Sequence, residues 1–480
     1  MASFTGSAVL LGVLVLVLVV FLLAAFLNWR RLALLLMFWV LIEGLVRRAI
    51  PGQPPQVMLV TDALVFFVYA SFFSWWVVQH NLFVKRTWLP PFLLPLSVFC
   101  FFAVVGIFNP RSPGILVGLV GFHSYVWYVP LLWVGFATFD NWDSARRFFW
   151  WLSVAAIPMA VLALYQCANF GSLPAALRPI EGESAVHSNV TAGLEMIKLV
   201  PSSFVNAEKF SRYCLMTFFL SLGLLLEKRG TRSKSWLLPL ATLASVAGVF
   251  LSGRRSPLYF SLVGFIWLMF GFFRKLGVRK SLQWIGIIAL ATATALTAAR
   301  SRNQNAGFYQ ESTASIPEFA LYVWSDMEYS FRNSGLIGIG TGTNSQGIGY
   351  VPGGLEWWST SQLIPETGLG YIMGELGVIG LVAFVLLLLS MSIAWFKNVG
   401  RLRGKAPYPV GASLAVFFSM MLVWFAKGHQ ILGDPITLVH FWFLMGIFFA
   451  LPRYHSSCQR TVRQGALWGT RHARHFGINR

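Results

Sequence analysis

The chain has 480 residues, of which 56% are hydrophobic and only 11% are charged. A soluble domain carries roughly 25% charged residues, and a water-soluble core of this size would not hide the 20 Trp and 43 Phe of this chain. The composition therefore excludes a soluble enzyme, a disordered chain and a collagen-like fibre. Apolar runs of about 20 residues, long enough to cross a hydrocarbon core of about 30 Å, recur along nearly the whole chain. They predict an all-α, polytopic transmembrane helical bundle.

The apolar runs predict about 12 to 14 spans, in one transmembrane domain over residues 1–452 that is followed by a basic tail at 453–480. The first run lacks a basic flank and is too long for a cleavable signal peptide, so we expect it to be retained. The runs lie near residues 7–27, 32–46, 62–79, 91–108, 115–137, 148–166, 211–226, 236–251, 257–273, 281–298, 367–396, 410–426 and 435–451.

The basic residues indicate how the chain is oriented. There are 37 Lys and Arg against 17 Asp and Glu, a formal net charge of +20, and they are concentrated in short loops that are expected to lie in the cytoplasm. With an odd number of spans, the N-terminus is then outside and the C-terminal tail is cytoplasmic. Arg47 and Arg48 are an exception, because they fall on the outer side. No basic face with interleaved aromatic side chains appears outside the membrane boundaries, so nucleic acid is not an expected partner.

Two long connections, 167–210 and 299–366, then lie outside the membrane. The larger one contains a predicted amphipathic helix that starts at Ser315–Glu318, where a capping Ser is followed by Pro in the first turn. Glu328 and Arg332 form an i,i+4 pair on its polar side. The helix is expected either to lie on the membrane surface over the mouth of the bundle or to pack within the loop for stability.

Cysteine and histidine give no metal-site pattern. The four cysteines, Cys100, Cys167, Cys214 and Cys458, lack metal-ligand spacing, and no two His residues are spaced to bind a metal from one helix. Cys167 and Cys214 both lie near the outer face, either as a disulfide in an oxidising compartment or as two unrelated buried thiols.

Three histidines are candidates for polar roles inside or near the membrane. His123, in the fifth predicted span, is expected either to face a polar cavity or to be a hydrogen-bonded core residue. His187 lies in the first outer connection and His429 lies near the outer mouth, and each is a candidate proton acceptor.

The segment Ser252–Pro257 places two consecutive arginines, Arg254 and Arg255, on a tight turn between two long apolar runs. These charges oppose the orientation rule, and charged groups near hydrocarbon are costly and tend to mark ligand sites. A guanidinium offers a planar fork of donors that suits phosphate oxygens. We therefore expect an anionic, phosphate-bearing ligand from the outer leaflet at this turn. The alternative is that the arginines snorkel and only anchor a helix end.

Two further segments, late in the large loop and at its end, carry candidate binding groups. The run Gly335–Gly342, which includes Gly340, either exposes backbone N–H groups to an anion or is a flexible turn; no strand–helix context makes it a dinucleotide fingerprint. Glu366 sits where the loop re-enters the membrane, and Glu375 lies about two helical turns deeper. A carboxylate at such a mouth is a candidate general base. The structural alternatives are a helix N-terminal carboxylate for Glu366 and a hydrogen-bonded or ion-paired one for Glu375.

Four short segments, in their order and spacing, resemble the O-antigen ligase/polymerase superfamily of bacterial inner-membrane glycosyltransferases. Ser202–Asn206 is similar to the family's Ser/Gly-x-Phe-x-Asn stretch, and Leu251–Arg255 resembles its Thr/Ser-x-Ser-Arg element, with Arg254 where a Ser is commoner. The Gly-rich run at 338–342 looks like the Gly-x-Gly piece late in the family's outer loop. Residues 366–381 resemble its re-entry helix, most closely over Glu-Leu-Gly-Val-Ile-Gly-Leu.

The resemblance implies a GT-C-like fold and metal-independent transfer of glycan from undecaprenyl diphosphate, without a cofactor, at the outer face of the bacterial inner membrane. In this mechanism Arg255, with Arg254, steadies the departing diphosphate. Glu366 accepts a proton at a position where ligases often have a His, a departure that favours a polymerase of surface polysaccharide or exopolysaccharide. The family's upstream Arg is missing, and Lys198 or Arg212 is expected to substitute for it.

The implied partners are the undecaprenyl-diphosphate-linked oligosaccharide, a glycan or lipid acceptor, the bilayer and polysaccharide export machinery. The rival interpretation is a transporter or flippase of an anionic lipid or sugar, in which the same charged residues bind substrate without catalysis. A structural or sensory scaffold would leave the two arginines and Glu366 unexplained. The sequence predicts Glu366 and Arg255 as catalytic residues, and Arg254, Lys198, Arg212, Arg332, Gly340 and Glu375 as contacts to the substrate.

Overall fold

The structure is a computed structural model, and over its described residues the chain is helical apart from one short pair of strands. The strands β1 (Val186–His187) and β2 (Ile197–Lys198) are antiparallel, with Val186 opposite Lys198. The predicted spans at 7–27 and 281–298, the predicted helix start at Ser315–Glu318 and the tail beyond residue 454 lie outside the described residues. These comprise 28–50, 57–80, 89–169, 172–178, 186–187, 197–227, 236–272, 321–345, 365–428 and 433–454, with positions 286, 348, 351 and 356.

Eleven of the thirteen predicted runs fall on helices. In chain order the helices are α1 (Trp29–Ala49), α2 (Val57–His80), α3 (Leu93–Ile107), α4 (Ile115–Val126), α5 (Leu131–Thr138), α6 (Trp142–Val154), α7 (Ala156–Ala168), α8 (Ala207–Leu225), α9 (Leu237–Leu251), α10 (Arg255–Trp267, continued by a π turn over Leu268–Phe272), α11 (321–334), α12 (Gly368–Leu402), α13 (Tyr408–Lys427) and α14 (Pro435–Tyr454).

Six helical stretches within the described residues are long and apolar enough to cross a membrane, which confirms the predicted helical class. The number of 12 to 14 spans stays a prediction. In two of the six stretches, Ile115–Thr138 and Trp142–Ala168, a pair of consecutive helices makes one stretch. Helix α1 carries five charged residues and α8 carries three over its 19 residues, and neither is among the six. Helices α3, α9 and α10 are shorter apolar helices. The six are Leu59–Gln79, Ile115–Thr138, Trp142–Ala168, Gly368–Leu402, Tyr408–Ala426 and Pro435–Tyr454.

The surface of α12 fits a lipid environment. Val382, Leu386, Leu389 and Ile393 are each more than half exposed, and their spacing of three or four residues places them on one face of the helix. Such a continuous exposed apolar stripe is unfavourable in water and is the expected surface of a helix that faces hydrocarbon.

The predicted cytoplasmic basic residues meet at one end of the bundle. Arg30, at the start of α1, binds Asp140 with its two nitrogens at 2.5 and 2.9 Å. Arg146 of α6 binds Glu227, just after α8, at 2.7 Å, and the Arg453 guanidinium of α14 lies 4.0 Å from the centre of an aromatic ring of α5. We call this end of the bundle the basic end. We call the opposite end, where α8, α12 and α14 begin, the cluster end, because a cluster of charged side chains described below lies there.

At the cluster end, the segment 199–206 packs closely against α1. Ser203 donates its hydroxyl proton to the carbonyl of Leu41, at 2.5 Å, and Arg48 donates to the carbonyls of Ser202 and Gly44. Arg48 is therefore only 3% exposed. Because this guanidinium binds backbone carbonyls of the chain itself, Arg48 is accounted for as an exception to the orientation rule.

The contact between α1 and this segment leaves no room for a side chain at Gly44. A Cβ atom there would lie 2.3 Å from the carbonyl carbon of Phe204. We predict that Gly44→Ala lowers the free energy of unfolding by about 1–3 kcal/mol, because backbone atoms must move apart. Gly400→Ala is the matched control, since a Cβ there meets nothing within 4 Å and Ala favours the helix by roughly 1 kcal/mol. Thermal unfolding of the purified protein in detergent measures both; equal effects would contradict the prediction.

Candidate functional site

A group of charged side chains is buried at the cluster end, around Arg212 of α8. Its Nη1 donates to Asp434 Oδ2 at 2.9 Å and to Thr437 Oγ1 at 3.3 Å, and its Nη2 donates to Glu208. The guanidinium carbon lies 5.1 Å from the centre of the Trp424 ring of α13. Arg212 is 4% exposed and Asp434 is 2% exposed, so both charges are removed from solvent and paired with each other. The buried Nε of Arg212 has no hydrogen-bond partner among the described residues.

Local sequence explains how α8 and α14 present these groups. Asn206 caps α8 by accepting from the backbone N–H of Lys209, at 3.0 Å, and Glu208 then stands four residues before Arg212, on the same face. Asp434 directly precedes Pro435, the first residue of α14, and its side chain accepts from the N–H of Ile436, at 3.2 Å. A carboxylate at a helix N-terminus is stabilised by the free N–H groups there. The start of α8 and the start of α14 thus place the two carboxylates beside Arg212.

Two more cations border this group. Lys209 Nζ lies 3.5 Å from Asp434 Oδ1. Arg254, the N-terminal cap of α10, is attracted by Glu208 and repelled by Arg212, and its buried Nε has no hydrogen-bond partner in the part of the chain that the structure describes. We call these five residues, Glu208, Lys209, Arg212, Arg254 and Asp434, the charged cluster. It contains three cations and two carboxylates.

A second polar group lies beside the charged cluster, on α1, α2 and α4. Glu43, 1% exposed, accepts the hydroxyl proton of Thr61 at 2.5 Å and is close enough to Lys209 to interact electrostatically. Asp62 accepts from the Tyr128 hydroxyl at 2.5 Å, and His123 Nε2 lies 3.4 Å from Asp62 Oδ1. His123 is thus paired with a carboxylate, a contact that sequence spacing did not predict.

Glu375 and the Gly-rich run, two predicted substrate contacts, bind each other. The Glu375 carboxylate accepts from the N–H groups of Gly342 and Asn344, at 2.7 and 2.8 Å, and from the Tyr125 hydroxyl at 2.8 Å. Its side chain is fully buried. The run does direct N–H groups at an anion, and in this structure that anion is a carboxylate of the same chain.

The same contact stabilises a break in α12. Gly377 has φ +69° and ψ −170°, so the helix is interrupted there. The carbonyls of Gly374 and Glu375, which lose their partners in the helix, accept from the N–H groups of Ile339 and Gly340, each at 3.0 Å. A Cβ atom on Gly377 would lie 2.1 Å from the Leu336 carbonyl oxygen. Irregular backbone at membrane depth is tolerated only where protein covers it, and residues 336–342 provide this cover.

Glu366 is exposed and lies immediately before α12. The Tyr322 hydroxyl of α11 forms a hydrogen bond with Glu366, and the partial burial of this hydroxyl, followed by that hydrogen bond, raises the pKa of Tyr322 well above its ordinary value. Asp326 of α11 accepts from the N–H of Thr367, at 3.0 Å. The predicted amphipathic helix is therefore present over 321–334 and is attached to the start of α12.

Gly368 links Glu366 to the charged cluster. A Cβ atom on Gly368 would lie 1.7 Å from the Phe425 carbonyl oxygen, so the start of α12 touches the end of α13. The residue before Phe425 is Trp424, whose ring lies beside Arg212. Glu366 and the charged cluster are therefore at the same end of the bundle, on either side of the end of α13.

The remaining predicted residues are Arg332, Arg255 and Lys198, and the structure describes the side chain of Arg332 alone among them. Arg332 is exposed and pairs with Glu328, as its i,i+4 spacing predicts. Arg255 is the first residue of α10 and Lys198 is in β2, and their side chains, like that of His187 and all of His429, are outside the described part of the structure. Of the cysteines that the structure describes, Cys100, Cys167 and Cys214 are free thiols. No group of three or more potential metal ligands occurs among the described residues.

Sequence reasoning missed Glu208, Lys209 and Asp434. One signal was available: Glu208 and Arg212 stand four residues apart at the start of an apolar run, where charge is costly. Asp434 directly precedes the last apolar run, as Asn206 precedes α8. The signal gave no partner, because 222 residues separate Arg212 from Asp434.

The chain was also compared with known proteins. No model of a known protein family matches it, and no curated protein is significantly similar to it. The resemblance of its short segments to the O-antigen ligase/polymerase superfamily therefore stays a prediction.

Two Glu–Arg pairs with the same i,i+4 spacing differ in burial, and this difference predicts their contributions to stability. Arg212→Gln leaves Glu208 and Asp434 as buried carboxylates without their partner, which we expect to lower the free energy of unfolding by about 3–5 kcal/mol. Arg332→Gln removes the exposed pair with Glu328, where the side chains are 73% and 47% exposed, and we expect a change of at most about 0.5 kcal/mol. Urea unfolding of both variants in mixed micelles is the measurement. If Arg212→Gln lowered the free energy of unfolding as little as Arg332→Gln does, the charged cluster would not stabilise the fold.

Proposed function

We propose that this chain is a membrane glycosyltransferase that polymerises or transfers glycan carried on undecaprenyl diphosphate, at the outer face of the bacterial inner membrane. The product is a surface polysaccharide or exopolysaccharide. The observation that carries the proposal is the charged cluster, where three cations meet two carboxylates and where the buried Nε atoms of both Arg212 and Arg254 have no hydrogen-bond partner among the described residues. A lipid diphosphate is an anion that reaches such a site from the bilayer itself.

Arg212 and Arg254 have different parts in this proposal. Arg212 is held by two carboxylates and by Trp424, so it is a fixed positive charge that needs no rearrangement when substrate arrives. Arg254, at the turn between α9 and α10, supplies donors for the diphosphate oxygens, together with Arg255. Preorganised donors of this kind stabilise the charge that develops on a leaving group.

The proposed reaction is a direct displacement. A hydroxyl oxygen of the acceptor glycan or lipid forms a bond to the anomeric carbon of the donor sugar, and the bond from that carbon to the diphosphate oxygen breaks. The electron pair leaves with undecaprenyl diphosphate, whose charge Arg254 and Arg255 bind. The hydroxyl proton passes to the Glu366 carboxylate, which is exposed and lies at the same end of the bundle as the charged cluster.

The distribution of charge supports the outer face as the location. Arg30, Arg146 and Arg453 meet at the basic end, and short basic loops are retained in the cytoplasm. The cluster end, to which the long connections 167–210 and 299–366 return, is then outside, where lipid-linked glycans are assembled into polymers.

The break in α12 gives specific support to a second candidate, a transporter or flippase of an anionic lipid or sugar. Discontinuous membrane helices commonly form substrate sites in transporters. At Gly377, however, residues 336–342 already occupy the backbone groups that the break releases. The break therefore leaves the carbonyls of Gly374 and Glu375 unavailable to a transported substrate, and for this reason we favour the glycosyltransferase.

The test uses the purified chain in lipid vesicles, without added metal, supplied with undecaprenyl-diphosphate-linked glycan. We expect a ladder of longer lipid-linked glycans from the wild type. Arg254→Ala should lower the rate about 100-fold, in the range found when one preorganised donor is removed, and Glu366→Gln should lower it because the proton acceptor is lost. Arg147→Ala, which removes an exposed guanidinium at the basic end, is the matched control and should retain full activity.

Three results would change the assignment. Single transfer to a distinct lipid acceptor would indicate a ligase. Unchanged glycan length, with labelled lipid moving between leaflets, would indicate the transporter. Equal activity of Arg254→Ala and Arg147→Ala would show that the charged cluster is not part of the active site, provided that thermal unfolding curves show both variants to be folded.

A further inference from the structure

An open groove lies at the basic end, far from the charged cluster. It is formed where the start of α3 meets α5 and the ends of α12 and α14, and its volume is about 90 Å³. Its wall is largely apolar and aromatic, with Trp133, Phe136 and Phe449, and the polar side chains on it are Asn398 and Arg401.

The two polar side chains of the groove differ in what they bind. Asn398 is buried and donates its amide to the carbonyl of Phe448, at 2.8 Å, so it is satisfied by the bundle. Arg401 is exposed and, among the described residues, forms no hydrogen bond or ion pair. Lys397 is also exposed and stands four residues earlier on α12, which places both cations on one face of the helix.

The acidic groups near this end do not neutralise these cations. Asp140 is bound by Arg30 and Glu227 by Arg146. Asp143, in the first turn of α6, is exposed and forms no ion pair with Arg401 or Lys397 among the described residues. Arg401 and Lys397 therefore leave positive charge at the rim of an apolar groove. Basic pockets between membrane helices on the cytoplasmic side are the kind of site that binds anionic lipid head groups.

We propose that this groove binds one anionic diacyl phospholipid of the surrounding leaflet. An acyl chain lies against Trp133, Phe136 and Phe449, while the phosphate of the head group contacts Arg401, with Lys397 one helical turn away. A free phosphate would use only the cations, and a zwitterionic lipid would use mainly the apolar wall. The apolar wall and the basic rim together favour a ligand that has both an acyl chain and a phosphate. This site is independent of the proposed glycosyltransferase activity.

Native mass spectrometry of the full-length protein in detergent tests the proposal, with dioleoyl phosphatidylglycerol and dioleoyl phosphatidylcholine titrated separately. We expect one phosphatidylglycerol to bind more tightly than phosphatidylcholine. Arg401→Gln should weaken its binding about fivefold, since a basic residue near an anionic lipid surface contributes about that factor. Arg403→Gln, an exposed arginine of the same segment that does not line the groove, should bind as the wild type does.

Dihexanoyl phosphatidylglycerol and inorganic phosphate separate the two parts of the ligand. Both should compete poorly with dioleoyl phosphatidylglycerol, because neither covers the apolar wall of the groove. The proposal fails if the two dioleoyl lipids bind equally in the wild type, if the two arginine variants lose binding equally, or if phosphate or the short-chain lipid competes as well as the dioleoyl lipid does. The wild-type comparison needs no variant, so a folding defect in Arg401→Gln would not obscure the answer.

Discussion

The interaction on which the cluster end depends is the contact of Arg212 with Glu208 and Asp434. An isolated ion in a low-dielectric interior costs several kcal/mol, and only close partners offset that cost. Here the partners come from α8 and from the start of α14, and the ring of Trp424 brings in the end of α13. Satisfying one guanidinium therefore fixes the relative position of three helices. Arg254 lies near this group without a comparable partner. The two arginines therefore differ in how far carboxylates of the protein already pair with them, and this difference gives the cluster end its chemical character.

A second constraint is the backbone of the broken helix α12. Hydrocarbon offers no hydrogen bonds, so each carbonyl that the break at Gly377 releases must find a donor within the protein. The N–H groups of Ile339 and Gly340 donate to these carbonyls, while those of Gly342 and Asn344 donate to the Glu375 carboxylate. Such close approach of two backbones requires glycine, because a Cβ atom on Gly338 would lie 2.2 Å from the Glu375 carbonyl oxygen. The glycines and Glu375 thus work as one unit, which fastens the end of the large connection to the bundle.

The two ends of the bundle use charge in different ways. At the basic end, Arg401 and Lys397 are exposed. At the cluster end, Arg212 and Arg48 are buried and directed at acceptors of the protein itself. This contrast explains why Arg30 and Arg146 lie at one end, as the count of basic residues predicted, while Arg48 lies at the other end as an exception. Which end faces the cytoplasm stays a prediction. The orientation rule applies to charges that face solvent or lipid, and it does not apply to an arginine that binds backbone carbonyls.

The sequence by itself determined the helical membrane class and the position of most helices, because a span of about 20 apolar residues is a local property that hydropathy measures directly. It also determined the Glu328–Arg332 pair, whose partners are four residues apart. Only the tertiary structure decided that Glu375 binds the Gly-rich run, that His123 pairs with Asp62 and that Asp434 meets Arg212. Each of these contacts joins residues that are distant in the chain, and their energy comes from burial and from pairing across helices. Spacing along one sequence carries no information about which distant group will be the partner.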